Sequence, residues 1–139
     1  MAVSVFTLNF DEQINYPADE QGINFDVVLS TDDSNFVSVT VKLDTGSTFC
    51  IFQRKYAEAL GLEVEKGTQE FIRTAKGSFT AYGHPINIKF YNMEWTTTVY
   101  FAQDESFPVN VVGRAGFLNF LKIGLVDYEQ ILYLTPYNK

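Results

Sequence analysis

The sequence predicts an all-β fold with a single lobe and two short helices. Runs of alternating apolar and polar residues recur along the chain, with turn residues about every 8–12 positions, which is typical of a sandwich or a barrel. The 13 Phe and 8 Tyr residues also favour strands, because aromatic side chains fit the half-buried surface of a sheet. At 139 residues the chain is long enough for one core and too short for two, so residues 1–139 predict one domain.

The N-terminal part contains two strand-like runs. They cover residues 3–10 and 23–29, and the polar stretch 11–22, which includes Pro17, separates them. The second run has apolar residues on one parity, as expected of a half-buried strand. Residues 1–22 form an N-terminal extension that the pattern does not place in the fold, apart from the strand predicted at 3–10.

The next segment is the most regular part of the chain. Residues 37–43 alternate without a break, and the turn residues 31–35 join them to the run at 23–29 as a hairpin. Residues 53–60 predict a short helix. Gly61 follows it, and glycine is the residue type that most often takes the position after a helix end.

The remainder of the chain predicts further hairpins and one more helix. Predicted strands cover residues 71–74, 78–82, 86–90, 95–101, 109–113, 123–126 and 131–134. A turn with glycine at its tip, Ala75-Lys76-Gly77, separates the first two of them. The second short helix is predicted at residues 114–121, where Phe117, Leu118 and Leu121 have helical spacing.

Composition excludes several classes of function. The net charge of −7 argues against a nucleic acid or an anionic membrane surface as partner, because both need clustered Lys and Arg. Cys50 is the only cysteine, so the chain has no internal disulfide, and we predict a small buried apolar residue there. His84 is the only histidine and lacks a companion for a metal site or a catalytic triad. We therefore predict no metal and no cofactor.

The hydropathy pattern of the sequence predicts neither a membrane span nor a signal peptide. No segment approaches the run of about 18 apolar residues that spans a membrane. The first ten residues lack the basic region and the continuous apolar stretch of a signal peptide. A cytoplasmic protein fits these observations, and so does a mature fragment whose leader has been removed.

The alternating run at 37–43 ends in the tetrapeptide Asp44-Thr45-Gly46-Ser47. Asp44 has the same parity as Ser38, Thr40 and Lys42, so we expect its side chain to leave the core and lie beyond the strand end. A rigid strand that presents a carboxylate, followed by small hydrogen-bonding residues, suits acid–base chemistry. The alternative is a solvated turn in which Asp44 caps its own backbone and glycine supplies the unusual dihedral angle.

This tetrapeptide resembles the active-site motif of aspartic proteases, and the order of parts resembles the retroviral-type (retropepsin-like) aspartic proteases in their cellular and bacterial single-domain form. The hairpin at Ala75-Lys76-Gly77-Ser78 lies where that family places its flap. The segment Val111-Val112-Gly113-Arg114 resembles the one that crosses beneath the active-site turn in those enzymes. The resemblance covers residues 37–134 and implies a closed acid-protease barrel.

The resemblance implies an endopeptidase that is active as a homodimer. Aspartic protease chemistry needs two carboxylates about 3 Å apart that share one proton. Asp-Thr-Gly occurs once in this sequence, so an active enzyme needs one Asp44 from each of two chains related by a two-fold axis. The implied substrate is an extended polypeptide segment, cleaved by a water that the two carboxylates activate.

The same resemblance implies roles for the neighbouring residues. Thr45 would form a hydrogen bond across the two-fold axis, and the Gly46 N–H would approach the carboxylate. The Ser47 hydroxyl would donate to the outer carboxylate oxygen. Residues 75–78 would fold over the bound peptide as a flap and donate backbone hydrogen bonds to it.

One departure from the family pattern leaves an alternative open. The retroviral enzymes commonly carry an acidic residue after the motif that pairs with the arginine after glycine, whereas Thr48 and Phe49 stand here. An ion pair of Arg114 would then need another partner, such as Asp127 or Glu129. The alternative function is a non-catalytic binding or dimerisation module with the same fold. A glycosidase ranks far lower, because it needs carboxylates at least about 5 Å apart on separate elements.

Overall fold

The computed structural model describes residues 4–19, 21–32 and 34–138, and within these ranges the chain forms ten strands, one short α-helix and three 3₁₀ turns. The strands are β1 (Glu12–Asn15), β2 (Asn24–Ser30), β3 (Phe36–Leu43), β4 (Ile51–Phe52), β5 (Thr68–Thr74), β6 (Gly77–Phe90), β7 (Met93–Ala102), β8 (Val111–Val112), β9 (Leu121–Val126) and β10 (Ile131–Pro136). The helix α1 covers Arg54–Ala59, and the 3₁₀ turns cover Val64–Lys66, Leu118–Phe120 and Asp127–Glu129. No helix within the described ranges is long and apolar enough to cross a membrane.

Six of the strands close into a barrel. Their order is β2-β3-β8-β4-β7-β6, and β6 pairs with β2 again, for example at Leu29 and Ile88. Strand β5 lies outside this ring, because it pairs with β6 alone and forms a hairpin that extends from the barrel. The predicted all-β acid-protease barrel is confirmed.

The alternation seen in the sequence is the alternation of burial in the structure. On β2, Phe25, Val27 and Leu29 are buried. On the paired strand β3, Val39 and Val41 are buried, while the residues between them are exposed. Each such side chain contributes roughly 1.5–3 kcal/mol on burial. This burial pattern fixes the register, since a slip by one residue would turn the apolar set to solvent.

A separate three-stranded sheet of order β1-β10-β9 packs against the barrel. Its first strand corrects the prediction for residues 3–10. Residues 4–10 form no strand, and Val5 and Phe6 are 82% and 93% exposed, while Val3 lies outside the described residues. The strand forms at Glu12–Asn15 instead, because there Ile14 reaches the core while the backbone pairs with β10.

The two helix predictions had different outcomes. Helix α1 confirms the first prediction, and it is followed by Gly61 with φ +76°. The helix predicted at 114–121 is wrong, since only the three-residue turn Leu118–Phe120 is helical there. Gly116 has φ +105° and Phe117 has φ −133° and ψ −67°, so neither residue has helical dihedral angles.

Strand β6 merges two predicted strands into one of 14 residues. The expected break at His84 and Pro85 is absent. Strand β6 pairs with β5 up to Gly83 and with β2 from Asn87, so Pro85 lies where the strand changes its neighbour. The missing N–H of proline is tolerated at such a position, and the strand continues through it.

Candidate active site

Asp44 lies immediately after β3 and is partly buried at the end of the strand. Its backbone N–H donates to the Val112 carbonyl at 3.0 Å, and its own carbonyl accepts from the Ser47 N–H at 3.1 Å. The first bond continues the parallel pairing of β3 with β8, in which Leu43 stands opposite Val112. The strand and the turn together fix the position from which the carboxylate projects.

The carboxylate is held by a backbone amide. The Gly46 N–H donates to Asp44 Oδ1 at 3.0 Å. A Cβ on Gly46 would stand 3.3 Å from the same oxygen, which explains why glycine suits this approach. The Ser47 hydroxyl donates elsewhere, to the Phe49 carbonyl at 2.7 Å, instead of to the carboxylate as predicted. Thr45, between Asp44 and Gly46, is exposed.

The segment Val112-Gly113-Arg114 crosses directly beneath this turn. The Arg114 N–H donates to the Ser47 carbonyl at 2.9 Å. A Cβ on Gly113 would lie 2.4 Å from the Ser47 carbonyl oxygen and 2.6 Å from that of Phe49. Both are backbone atoms that cannot move aside, so this crossing requires glycine.

The side chain of Arg114 is exposed and makes no ion pair among residues 4–19, 21–32 and 34–138. Neither of the two acids considered from the sequence is its partner: Asp127 accepts the hydroxyl of Tyr16, and Glu129 forms no ion pair with it.

Cys50 fills the space behind the crossing, fully buried as predicted. Its Sγ accepts from the Gly113 N–H at 3.5 Å and donates to the Ala115 carbonyl at 3.6 Å. Burial raises the pKa of the thiol to about 11, against a smaller lowering by the Gly113 amide. Cys50 is therefore a neutral packing residue.

In front of the turn lies a cleft of about 570 Å³ whose walls are largely apolar. Asp44, Gly46 and Ser47 line it at the strand end. Its apolar lining comes from Phe49, Ile51, Phe71, Ile72, Phe79, Phe107, Val109 and Val111. The arrangement places a carboxylate beside a surface suited to apolar side chains.

Most of the apolar lining was not predicted as part of the site. Phe107 and Val109 flank Pro108 within an otherwise polar connection between β7 and β8. Two large apolar residues in a segment of that kind were the available signal, because adjacent apolar side chains in a polar loop can mark a binding surface.

The hairpin formed by β5 and β6 borders the same cleft. Its two-residue turn is Ala75-Lys76, and Gly77 follows with φ +135°. The Thr74 hydroxyl donates to the Gly77 carbonyl at 2.9 Å and accepts from the Lys76 N–H at 3.3 Å. Of the predicted flap residues, Ala75 lines the cleft, while Lys76, Gly77 and Ser78 are exposed and lie outside its lining.

His84, which the sequence analysis excluded from catalysis, is buried in β6 with its Nε2 at 2.9 Å from the Val64 carbonyl. Within the described part of the chain, no three His, Cys, Asp or Glu side chains come together as they would around a metal ion.

Comparisons with known proteins agree with this geometry. Among solved structures, the fold is similar to a retropepsin-like aspartic protease from Rickettsia conorii, with a TM-score of 0.63, 15% identity and coverage of 88% of this chain and 98% of that one. It is also similar to the EIAV protease in complex with the inhibitor HBY-793, with a TM-score of 0.53, 21% identity and coverage of 68% and 84%. None of the curated proteins matches the sequence. The family model described as aspartyl protease matches residues 27–117, which include Asp44 and Gly113. The chain therefore belongs to the aspartyl protease family, and its fold is retropepsin-like.

Proposed function

We propose that this protein is an aspartic endopeptidase that is active as a homodimer and cleaves extended polypeptide segments. The observation that carries the proposal is the Asp44 carboxylate, held by the Gly46 amide at 3.0 Å on the floor of an apolar cleft. The membership in the aspartyl protease family supports the same reaction class.

The proposed mechanism uses the Asp44 carboxylates of two chains. Two carboxylates about 3 Å apart share one proton, because they cannot both be ionised at that distance. The ionised one takes a proton from a water molecule, which attacks the peptide carbonyl, and the protonated one donates to the oxygen on which charge develops. The C–N bond of the tetrahedral intermediate then breaks as the first carboxyl gives its new proton to the amide nitrogen, and a hydroxyl proton of the intermediate returns to the second carboxylate. The chain carries a single Asp-Thr-Gly, so the second carboxylate comes from the partner.

A second surface beside the turn supports the dimer. It is lined by Thr45, Thr48, Arg114, Ala115, Leu118 and Asn119. In the proposed dimer the exposed Thr45 forms a hydrogen bond across the two-fold axis, and the partner covers this surface. The position of Thr45 next to Asp44 brings the two carboxylates together when the two threonines meet.

The proposed substrate follows from the lining of the cleft. Its walls are largely apolar, which favours a segment with large apolar side chains next to the bond that is cleaved. The β5–β6 hairpin lies along the cleft and has backbone groups suited to an extended peptide. Polypeptide substrates are the class that such a site selects.

The substitution Asp44→Asn tests the proposal. It removes the ionisable group and keeps the size of the side chain, so we expect cleavage of a peptide library to fall by about 10²- to 10⁴-fold while the dimer is retained in sedimentation. The exposed Asp32→Asn is the matched control and should cleave at the wild-type rate. Equal activity of wild type and Asp44→Asn contradicts the proposal.

One observation favours the alternative of a non-catalytic binding or dimerisation module. The Ser47 hydroxyl donates to the Phe49 carbonyl, so the carboxylate receives one hydrogen bond fewer than the family resemblance implies. The alternative predicts peptide binding without cleavage between about pH 3.5 and 7, where a carboxyl pair would be half-ionised. Product formation by the wild type in that range excludes it.

A further inference from the structure

We propose that Gln53 is a positioning residue that fixes one wall of the cleft and thereby sets the preference for large apolar side chains in the substrate. The inference deepens the proposed endopeptidase function and rests on it. The wall in question is the connection from β7 to β8, residues 103–110, which we call the wall loop.

The wall loop has little structure of its own. Its internal hydrogen bonds are short-range, from the Ser106 N–H to Asp104 Oδ1 at 2.8 Å and from the Phe107 N–H to the Asp104 carbonyl at 3.2 Å. It nevertheless presents Phe107 and Val109 to the cleft. Such a connection is usually the most mobile part of a site, so its position depends on contacts from outside.

The start of the wall loop is held by Arg54, whose Nη1 donates to the Gln103 carbonyl at 3.1 Å. Gln53 holds the part that lines the cleft, and both polar atoms of its side chain take part. Its Nε2 donates to the Phe107 carbonyl at 3.1 Å. Its Oε1 accepts from Asn110 Nδ2 at 3.0 Å, and its backbone N–H donates to Asn110 Oδ1 at 2.8 Å. All three bonds of Gln53 are partly buried, where hydrogen bonds are stronger than at a fully exposed surface.

The position of Gln53 in the chain ordinarily favours a residue that caps a helix. Gln53 occupies the position just before helix α1, where Ser, Thr, Asp or Asn would cap the helix, and its side chain makes no capping bond. The side chain faces the wall loop instead. Exceptions of this kind to a local rule are concentrated at functional sites.

We call the three hydrogen bonds of Gln53 to Phe107 and Asn110 the tether. Asn110 is also bonded to the strand that leads to the carboxylate. The Asn110 carbonyl accepts from the Lys42 N–H at 2.9 Å, two residues before Asp44. At the other side, the ring of Phe107 packs on Phe79 of strand β6 with centroids 4.7 Å apart. The wall loop is thus held between the floor of the cleft and the hairpin that covers it.

Loss of the tether therefore has a specific consequence. If Phe107 and Val109 are free to move away from the cleft, a large apolar side chain in the substrate loses its packing surface, while a small one loses little. Discrimination between apolar side chains of different size then falls, since it depends on contacts at fixed positions.

Two substitutions separate the tether from general packing. Gln53→Met removes both side-chain bonds. Gln53→Glu keeps the acceptor for Asn110 Nδ2 but loses the donor to the Phe107 carbonyl whenever the carboxyl is ionised. At about pH 4 most of the introduced carboxyl is protonated and donates again. Gln103→Met, which removes an exposed glutamine of the same loop, is the matched control.

The experiment compares kcat/KM for paired peptides that differ in Phe or Ala next to the cleaved bond, at about pH 4 and pH 7. We expect Gln53→Met to reduce the Phe-over-Ala ratio about tenfold at both pH values, mainly through KM. Gln53→Glu should reduce it at pH 7 and recover the wild-type ratio at pH 4, and Gln103→Met should match the wild type. A merely structural role of Gln53 would not produce recovery in Gln53→Glu alone.

An unchanged ratio in both Gln53 variants overturns the inference while leaving the endopeptidase intact. Hydrogen exchange of the backbone amides of residues 107 and 53 tests the tether independently of cleavage. Faster exchange in both variants at pH 7 supports the tether, and wild-type exchange refutes it. If the wild type cleaves no peptide, the proposed function fails, and the exchange result still accepts or rejects the role of Gln53.

Discussion

The two sides of the cleft are built in opposite ways. On the floor, the turn at Asp44 is bonded to Val112 and crossed by Gly113, which has two backbone oxygens within 2.6 Å of where a Cβ would be. On the opposite side, at the tip of the β5–β6 hairpin (the roof), a Cβ on Gly77 would meet no atom within 4 Å, and Ala75 and Lys76 are exposed. The turn at Asp44 is thus packed against backbone atoms, whereas the hairpin tip has open space around it.

In the proposed protease, this difference would suit two separate tasks. A catalytic group works only when its neighbours hold it in position, which requires dense backbone contacts. A covering hairpin must open for a substrate, which requires few contacts and a low local stability. Gly113 permits a close backbone approach, whereas Gly77 takes an unusual dihedral angle.

Gly113→Ala is expected to cause the largest loss of stability. The new methyl group meets the carbonyl oxygens of Ser47 and Phe49, so the turn must shift, and we expect the free energy of unfolding to fall by about 3 kcal/mol. Gly77→Ala is the matched change on the roof and should cost about 1 kcal/mol, from the dihedral angle alone. Denaturant unfolding of both variants measures the difference, and equal losses would contradict the contrast.

A substitution remote from both the turn at Asp44 and the hairpin should affect stability but not peptide cleavage. The Tyr16 hydroxyl donates to Asp127 and links the start of the chain to the turn between β9 and β10. Tyr16→Phe should lower the free energy of unfolding by about 1 kcal/mol. Peptide cleavage should keep its wild-type rate. A loss of activity at unchanged stability would show that this sheet takes part in the site.

The raised pKa of Tyr16 predicts how its contribution to stability changes at alkaline pH. Burial, and then the hydrogen bond and charge of Asp127, raise the pKa of Tyr16 from 10.0 to about 12. The folded state therefore holds this proton more tightly than the unfolded state, so the contribution is complete below pH 10.0 and is lost as the pH rises toward about 12. The difference in stability between wild type and Tyr16→Phe should shrink over that range, and a constant difference would refute the assignment.

The smallest expected effect concerns the turn of the β5–β6 hairpin. Thr74→Val removes the two hydroxyl hydrogen bonds that close the hairpin turn, which should lower its local stability by about 0.5–1 kcal/mol. Hydrogen exchange at Lys76 and Gly77 should accelerate while the global unfolding midpoint stays the same. Thr68→Val, at the other end of β5, is the control. A lowered global midpoint in Thr74→Val would mean that the hairpin is part of the cooperative core.

The sequence predicted the features that repeat locally. The alternation at 37–43 predicted strand β3 and its buried residues, because parity determines which side chains face the core. The family resemblance anticipated the approach of the Gly46 amide to Asp44. These features depend on neighbours in the chain or on a motif of fixed length.

The failures depend on distant partners. Residues 4–10 alternate like a strand, yet the edge of the terminal sheet is taken by Glu12–Asn15, whose register with β10 is invisible in the local pattern. The spacing at 114–121 looked helical, but the dihedral angle of Gly116 prevents a helix there. The direction of the Ser47 hydroxyl and the bonds of Gln53 to the wall loop are side-chain contacts that no periodicity encodes.

Strand β6 runs without interruption from the hairpin tip at Gly77 to its pairing with β2 at Lys89. Its 14 residues extend on the order of 45 Å. In the proposed complex with a peptide, the strand that borders the cleft is therefore the same strand that completes the barrel. Any ligand that holds the tip in place also opposes separation of β6 from β2, so occupancy of the cleft should make the whole protein more resistant to heat and to foreign proteases.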